Sequence, residues 1–147
     1  MSLVAQRRFG LVAASSQRAC MDRLKLEGWL GRYGRAWEGR DPEAAAALFE
    51  EDAEYFETPF EPPLRGRDEI RRYWRGATNS QRGISFSHEV LSVTGSIGVA
   101  RWRAEFSRIP TGQRVRLDGV FVLTFNETGL CSVLREWWHS DPEVPDA

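Results

Sequence analysis

Arg32 to Pro59 reads RYGRAWEGRDPEAAAALFEEDAEYFETP, and the rest of the chain is arranged around it. The pattern is helix, break, helix, break, then a strand ending on a carboxylate. Asp41-Pro42 marks a helix start, with Asp as N-cap and Pro in the first helical position. This second helix is expected to run to about Glu50, with Ala45, Leu48 and Phe49 inward. Ala53 to Glu57 reads as a short strand. Its alternation puts Glu57 on one face with Tyr55, and Phe56 on the other. Pro59, Pro62 and Pro63 then break the chain into a loop.

Upstream, a first helix is expected from about Asp22 to Glu38, with Asp22 as N-cap. Leu26, Trp29, Leu30, Tyr33 and Trp37 form one apolar stripe at helical spacing. Gly39 should end the helix in the left-handed conformation that glycine tolerates. Gly28, Gly31 and Gly34 each weaken a helix by ~1 kcal/mol against Ala, and can allow close packing. Residues 1–21 read as a flexible leader, with Met21 as a possible natural start. The apolar run FGLVAA within it is short for a signal segment.

Downstream, a third helix is expected from near Arg67-Asp68 to near Ala77. Ile70, Tyr73, Trp74 and Ala77 make its apolar side; Arg71, Arg72 and Arg75 make a solvated basic side. From Gly83 the period changes to two. Strands are expected over about 84–91, 99–109, 114–125 and 130–139, joined by turns at Thr94–Gly98, Pro110–Gly112 and Asn126–Gly129. Residues 141–147 form a polar tail. Helices early and strands late define an α+β domain over 22–140. A curved, mainly antiparallel sheet wrapped by three helices makes a cone with one open end.

The length of 147 residues suits one domain. A net charge of −1 gives no steering towards nucleic acid or anionic membrane. No run approaches a membrane span of ~18 apolar residues. Cys20 and Cys131 make no disulfide framework, which fits a reducing cytoplasm. The six tryptophans and eight phenylalanines are unusual. Aromatic side chains often line ligand cavities.

The segments RYGRAWEGRDPEAAAALFEEDAEY, PLRGRDEIRRYW, GVFVLTFNETG and LREWW carry a resemblance over about residues 24–140. The chain resembles the nuclear transport factor 2-like superfamily, and within it the SnoaL-like branch. That fold hosts isomerases, cyclases, hydrolases and non-catalytic binders. Ketosteroid isomerase is similar enough to compare by position. Tyr33 matches its catalytic tyrosine and Glu57 its base. Phe121 stands where its protonated aspartate would be, so one of two oxyanion donors is missing. Compared with limonene epoxide hydrolase, Glu136 matches the acid of the last strand. Trp102 and Ala104 occupy the places of its Arg-x-Asp pair, with Arg103 and Glu105 one residue out of phase. In this superfamily the outer sheet face often packs on a second subunit. The resemblance therefore implies a homodimer through the face bearing Trp137 and His139.

The inward faces converge on a mostly apolar hollow. Trp29, Tyr33 and Trp37 should reach it from helix one, and Glu57 from the first strand. Phe86, His88, Trp102 and Phe106 should reach it from the next two strands. Phe121, Glu136 and Trp138 complete it. A carboxyl among tryptophans loses hydration, so its pKa should rise. Glu57 and Glu136 are the candidate acid and base, and they could share a proton if close. Tyr33 could donate to an oxyanion and His88 could shuttle a proton. Each has a plainer reading: Glu57 at the solvent-facing mouth, Glu136 neutralised by His88 or an arginine, His88 and Tyr33 as hydrogen-bonded core residues. No metal-ligand spacing, phosphate loop or nucleophile elbow is present, so no cofactor is expected. The expected activity is cofactor-free isomerisation, cyclisation or hydrolysis of a small apolar molecule. The alternative is a non-catalytic binder or dimeric interaction module whose cone is filled by its own aromatics.

Overall fold

The computed structural model describes residues 21–142. Residues 1–20 and 143–147, most of the expected leader and tail, lie outside them. Helix α1 spans Arg23–Glu38, and the Asp22 side chain caps it by accepting from the Lys25 N–H. Its expected stripe is all buried. Its end departs from expectation. Gly39 keeps a right-handed φ of −79°, and Arg40 takes the left-handed φ of 52° instead. The Arg40 side chain is tied down there, with Nε donating to the Thr78 carbonyl at 2.9 Å.

Helix α2 is shorter than expected, Pro42–Ala46. The residues expected to extend it instead open strand β1, Phe49–Phe56, four residues earlier than the alternation suggested. Phe49 pairs with Cys131 of the last strand, and a register shift follows before Glu54 meets Val133. Non-local pairing therefore overrides the helical tendency of ALFEED. A two-residue strand β2, Leu64–Arg65, pairs with β1 and was not foreseen. Helix α3 follows, Gly66–Asn79.

Four long strands complete the chain: β3 Gln81–Thr94, β4 Ile97–Arg108, β5 Arg114–Phe125 and β6 Cys131–Asp141. They form the expected antiparallel meander. The sheet has six strands in the order β2-β1-β6-β5-β4-β3, with β1 parallel to β6. It curls around the helices as a cone. Gly34 explains how tightly helix and sheet meet. A Cβ there would stand 2.6 Å from Cδ1 of Phe86, so only glycine lets that ring approach. Met21 is itself buried against the core, at the edge of the expected leader. No helix among the described residues is long and apolar enough to cross a membrane.

Candidate functional site

The interior of the cone holds a cavity of about 150 Å³. Five of its lining side chains are carboxylic acids or phenols. Tyr33 projects from α1, Tyr55 from β1 and Tyr73 from α3. Glu57 stands just beyond β1, and Glu136 projects from the middle of β6. Strand alternation places Glu136 inward, between exposed Arg135 and Trp137.

Glu136 is the unusual member. It is only 6% exposed. No cation or hydrogen-bond donor among the described residues stabilises its charged form. Burial therefore holds its carboxyl well above the usual glutamate range, and the nearby Glu57 charge pushes it further. Glu57 is half-buried and is also raised, first by burial and further by Glu61. The Tyr73 hydroxyl, directed at Glu57, works the other way by favouring the carboxylate. As pH rises, Glu57 thus ionises before Glu136. Between those two ionisations the site holds one carboxylate and one neutral carboxylic acid.

The tyrosines remain donors. Burial raises the hydroxyls of Tyr33, Tyr55 and Tyr73 well above their usual range, and a charge on Glu136 opposes their ionisation as well. The Tyr33 and Tyr55 hydroxyls lie 3.0 Å apart as a hydrogen-bonded pair. The Trp138 indole donates to the Glu57 carbonyl at 3.3 Å, tying β6 to the residue that follows β1.

Of the other sequence candidates, Trp37, Trp102, Phe106 and Trp138 line the cavity. Trp29, Phe86, His88 and Phe121 do not. Trp29 is core, its indole donating to the Leu48 carbonyl at 3.1 Å. Phe121 is fully buried and stacks on Trp102 at 5.2 Å. Phe86 packs against Tyr33 and Trp102. His88 pairs with Trp102 across β3 and β4, but it is half-buried beside Phe86, apart from the two acids. Trp137 and His139 lie on the convex face, where Trp137 is 48% exposed.

Sequence reasoning did not select Tyr55 or Tyr73 as site residues. The signal was present in both. Tyr55 shares its strand face with Glu57, and Tyr73 sits on the inward side of α3. Both read equally well as core aromatics. Among the described residues, no group of three or more acidic, histidine or cysteine side chains is placed to hold a metal.

A curled sheet closing over helices, with titratable groups lining the hollow, defines the cone-shaped α+β class. The chain belongs to the SnoaL-like domain family, whose model matches residues 30–133. Among solved structures it resembles SalBIII, an epoxide hydrolase/cyclase-like enzyme of pyran ring formation in the polyether salinomycin. That likeness has 21% identity and a TM-score of 0.70, over 80% of this chain and 92% of that one. A proposed isomerase from Bacillus subtilis aligns at 19% identity and a TM-score of 0.71, over 81% of this chain and 90% of that one. TsrD from Streptomyces laurentii aligns at 17% identity and a TM-score of 0.68, over 80% and 90%. At these identities the likeness establishes the shared fold.

Proposed function

We propose that the protein catalyses cofactor-free acid/base chemistry on a small, mostly apolar molecule bearing a carbonyl or ether oxygen. One observation carries this reading: among the described residues Glu136 is buried with no compensating cation or donor, and a second, half-buried carboxyl, Glu57, lines the same cavity. A purely structural acid would be paired, because a buried polar group without a hydrogen-bond partner is costly. Glu57 is the base. It takes a proton from carbon next to a carbonyl, or from water. Glu136 is the neutral acid. It donates a hydrogen bond to the developing oxyanion, or gives its proton to a leaving oxygen. The Tyr33–Tyr55 pair supplies a second donor that stays protonated. The relatives named above for isomerisation and ring formation add to the plausibility of proton transfer without a cofactor.

The cavity limits the ligand. About 150 Å³ accommodates one six-membered ring. It is smaller than the ~300–1,000 Å³ typical of drug-sized ligands. A steroid would not enter without rearrangement. The tight stacking of Trp102 on Phe121 favours the second reading, a binder of small rings without turnover.

Deuterium exchange separates the two. Acetophenone in heavy water, followed by NMR, should lose its methyl protons faster with the protein than in buffer. Glu57→Gln should slow the catalysed exchange about 100-fold or more. Exchange no faster than in buffer, with binding still detectable, would leave only the binder. Exchange unchanged in Glu57→Gln would remove Glu57 from the role of base.

A further inference from the structure

The same cavity is lined by a second polar group that acid/base chemistry does not use. Gln81 opens β3 and Arg108 ends β4, and they are direct partners across the two strands. Their side chains share a face, with Cβ atoms expected ~4.5–5.5 Å apart. Both line the cavity. Glu136 sits two strands further along the sheet, on β6.

Gln81 is only 8% exposed. Its Oε1 accepts a hydrogen bond from the Trp37 indole at 2.8 Å. An indole N–H can only donate, so that contact fixes which end of the carboxamide is the oxygen. The NH2 group points the other way and has no hydrogen-bond partner among the described residues. It is not sealed in the packing either. Among the described residues, the buried, unpartnered side-chain polar atoms are Thr58 Oγ1, Trp74 Nε1 and Trp102 Nε1. The Gln81 amide therefore meets open space, and the cavity is the space it lines.

Arg108 is unpaired in a similar way. Among the described residues its guanidinium has no carboxylate within ion-pair range, unlike Arg71, Arg101, Arg103, Arg114 and Arg116. Its recorded contact is with the face of Phe106, 5.8 Å from the ring centre. That holds the cation over the cavity wall without neutralising it.

We propose that Arg108 and Gln81 form a carboxylate-binding subsite, so that the ligand is a small aromatic or alicyclic acid whose carboxylate sits against these two side chains. The guanidinium supplies charge and paired N–H donors, and the anchored carboxamide supplies another donor. The ring lies among Trp37, Trp102 and Phe106. The part of the ligand away from the carboxylate then faces Glu57 and Glu136. This assignment rests on the reading of the cavity as a ligand site. It does not require that Glu57 or Glu136 perform chemistry.

Benzoate and benzyl alcohol are nearly equal in size and differ in charge. Both are titrated against the full chain at constant ionic strength, following tryptophan fluorescence and amide NMR shifts. Benzoate should bind about tenfold tighter or more, as expected for a charge-assisted pair. Arg108→Gln should abolish most of that preference. Gln81→Glu keeps an acceptor for Trp37 while replacing the NH2 donors, and should weaken benzoate further than benzyl alcohol. Equal affinities in the unmodified protein, no saturable benzoate binding, or a preference unchanged in Arg108→Gln would each overturn the subsite. If the subsite fails but Glu57-dependent exchange persists, only the ligand class is wrong. If exchange fails but the Arg108-dependent preference persists, only the chemistry is wrong.

Discussion

Tyr33 of α1 and Tyr55 of β1 meet through their hydroxyls at 3.0 Å, each 2% exposed. The contact joins the first helix to the first strand in the lining of the cavity. Tyr33 also packs edge-on against Trp74 and Phe121. The two hydroxyls thus form one buried unit.

Removing either hydroxyl should destabilise the fold. Tyr33→Phe leaves Tyr55 without its partner, and Tyr55→Phe does the reverse. Each should cost about 1–2 kcal/mol, because a lone buried hydroxyl keeps its desolvation penalty. The double variant should cost clearly less than the sum. A coupling of about 1 kcal/mol from urea melts would match a direct bond. Additive effects would mean the hydroxyls are satisfied elsewhere.

Two glycines of α1 should respond in opposite directions to alanine. A Cβ on Gly28 would meet only Arg32 Nη1 at 3.5 Å, an ordinary contact. Gly28→Ala should therefore stabilise by up to about 1 kcal/mol through helix propensity. A Cβ on Gly34 would clash with Phe86 at 2.6 Å. Overpacking costs roughly 1–3 kcal/mol, which outweighs that gain. Gly34→Ala should lower the melting temperature while Gly28→Ala raises it.

The architecture was largely legible because it follows from local signals. Asp22, Asp41-Pro42 and the change of period near Gly83 each act within a few residues. The start of β1 was not legible. Phe49 to Asp52 follows a helix-forming run, and only the pairing of its strand with β6, some 80 residues away in sequence, makes it a strand. The two acids were legible as inward positions, Glu57 just past the end of β1 and Glu136 on β6. The cavity itself was not, because its size depends on how the rings pack. Phe86, Phe121 and Trp29 share the inward direction of the lining residues, yet they are used to fill the core. Tyr55 and Tyr73 reach the acids, which no periodicity distinguishes from ordinary burial. His88 illustrates the limit of alternation. It points to the inward side, but β3 is the edge strand and carries it away from the acids.

Glu136 should make stability depend on pH. The folded protein retains a proton that the unfolded chain gives up near the ordinary glutamate value of about 4.3. The contribution of Glu136 to stability is thus greatest below that value and declines as pH rises through the higher folded value. Glu57 acts in the same direction, because its folded value is also raised. Glu136→Gln removes the larger contribution. The variant's urea midpoint should fall less between mild acid and neutral pH than the parent's. Parallel curves would show that Glu136 titrates alike in both states.

The order in which the two acids lose their protons is what acid/base chemistry here depends on. Carboxyl carbon NMR of glutamate-labelled protein, followed through a pH titration, reads it directly. One resonance should titrate well above the ordinary glutamate range and vanish in Glu136→Gln, while the Glu57 resonance moves at lower pH. Both resonances titrating at ordinary values, or Glu57 retaining its proton to higher pH than Glu136, would contradict the assignment of base and acid.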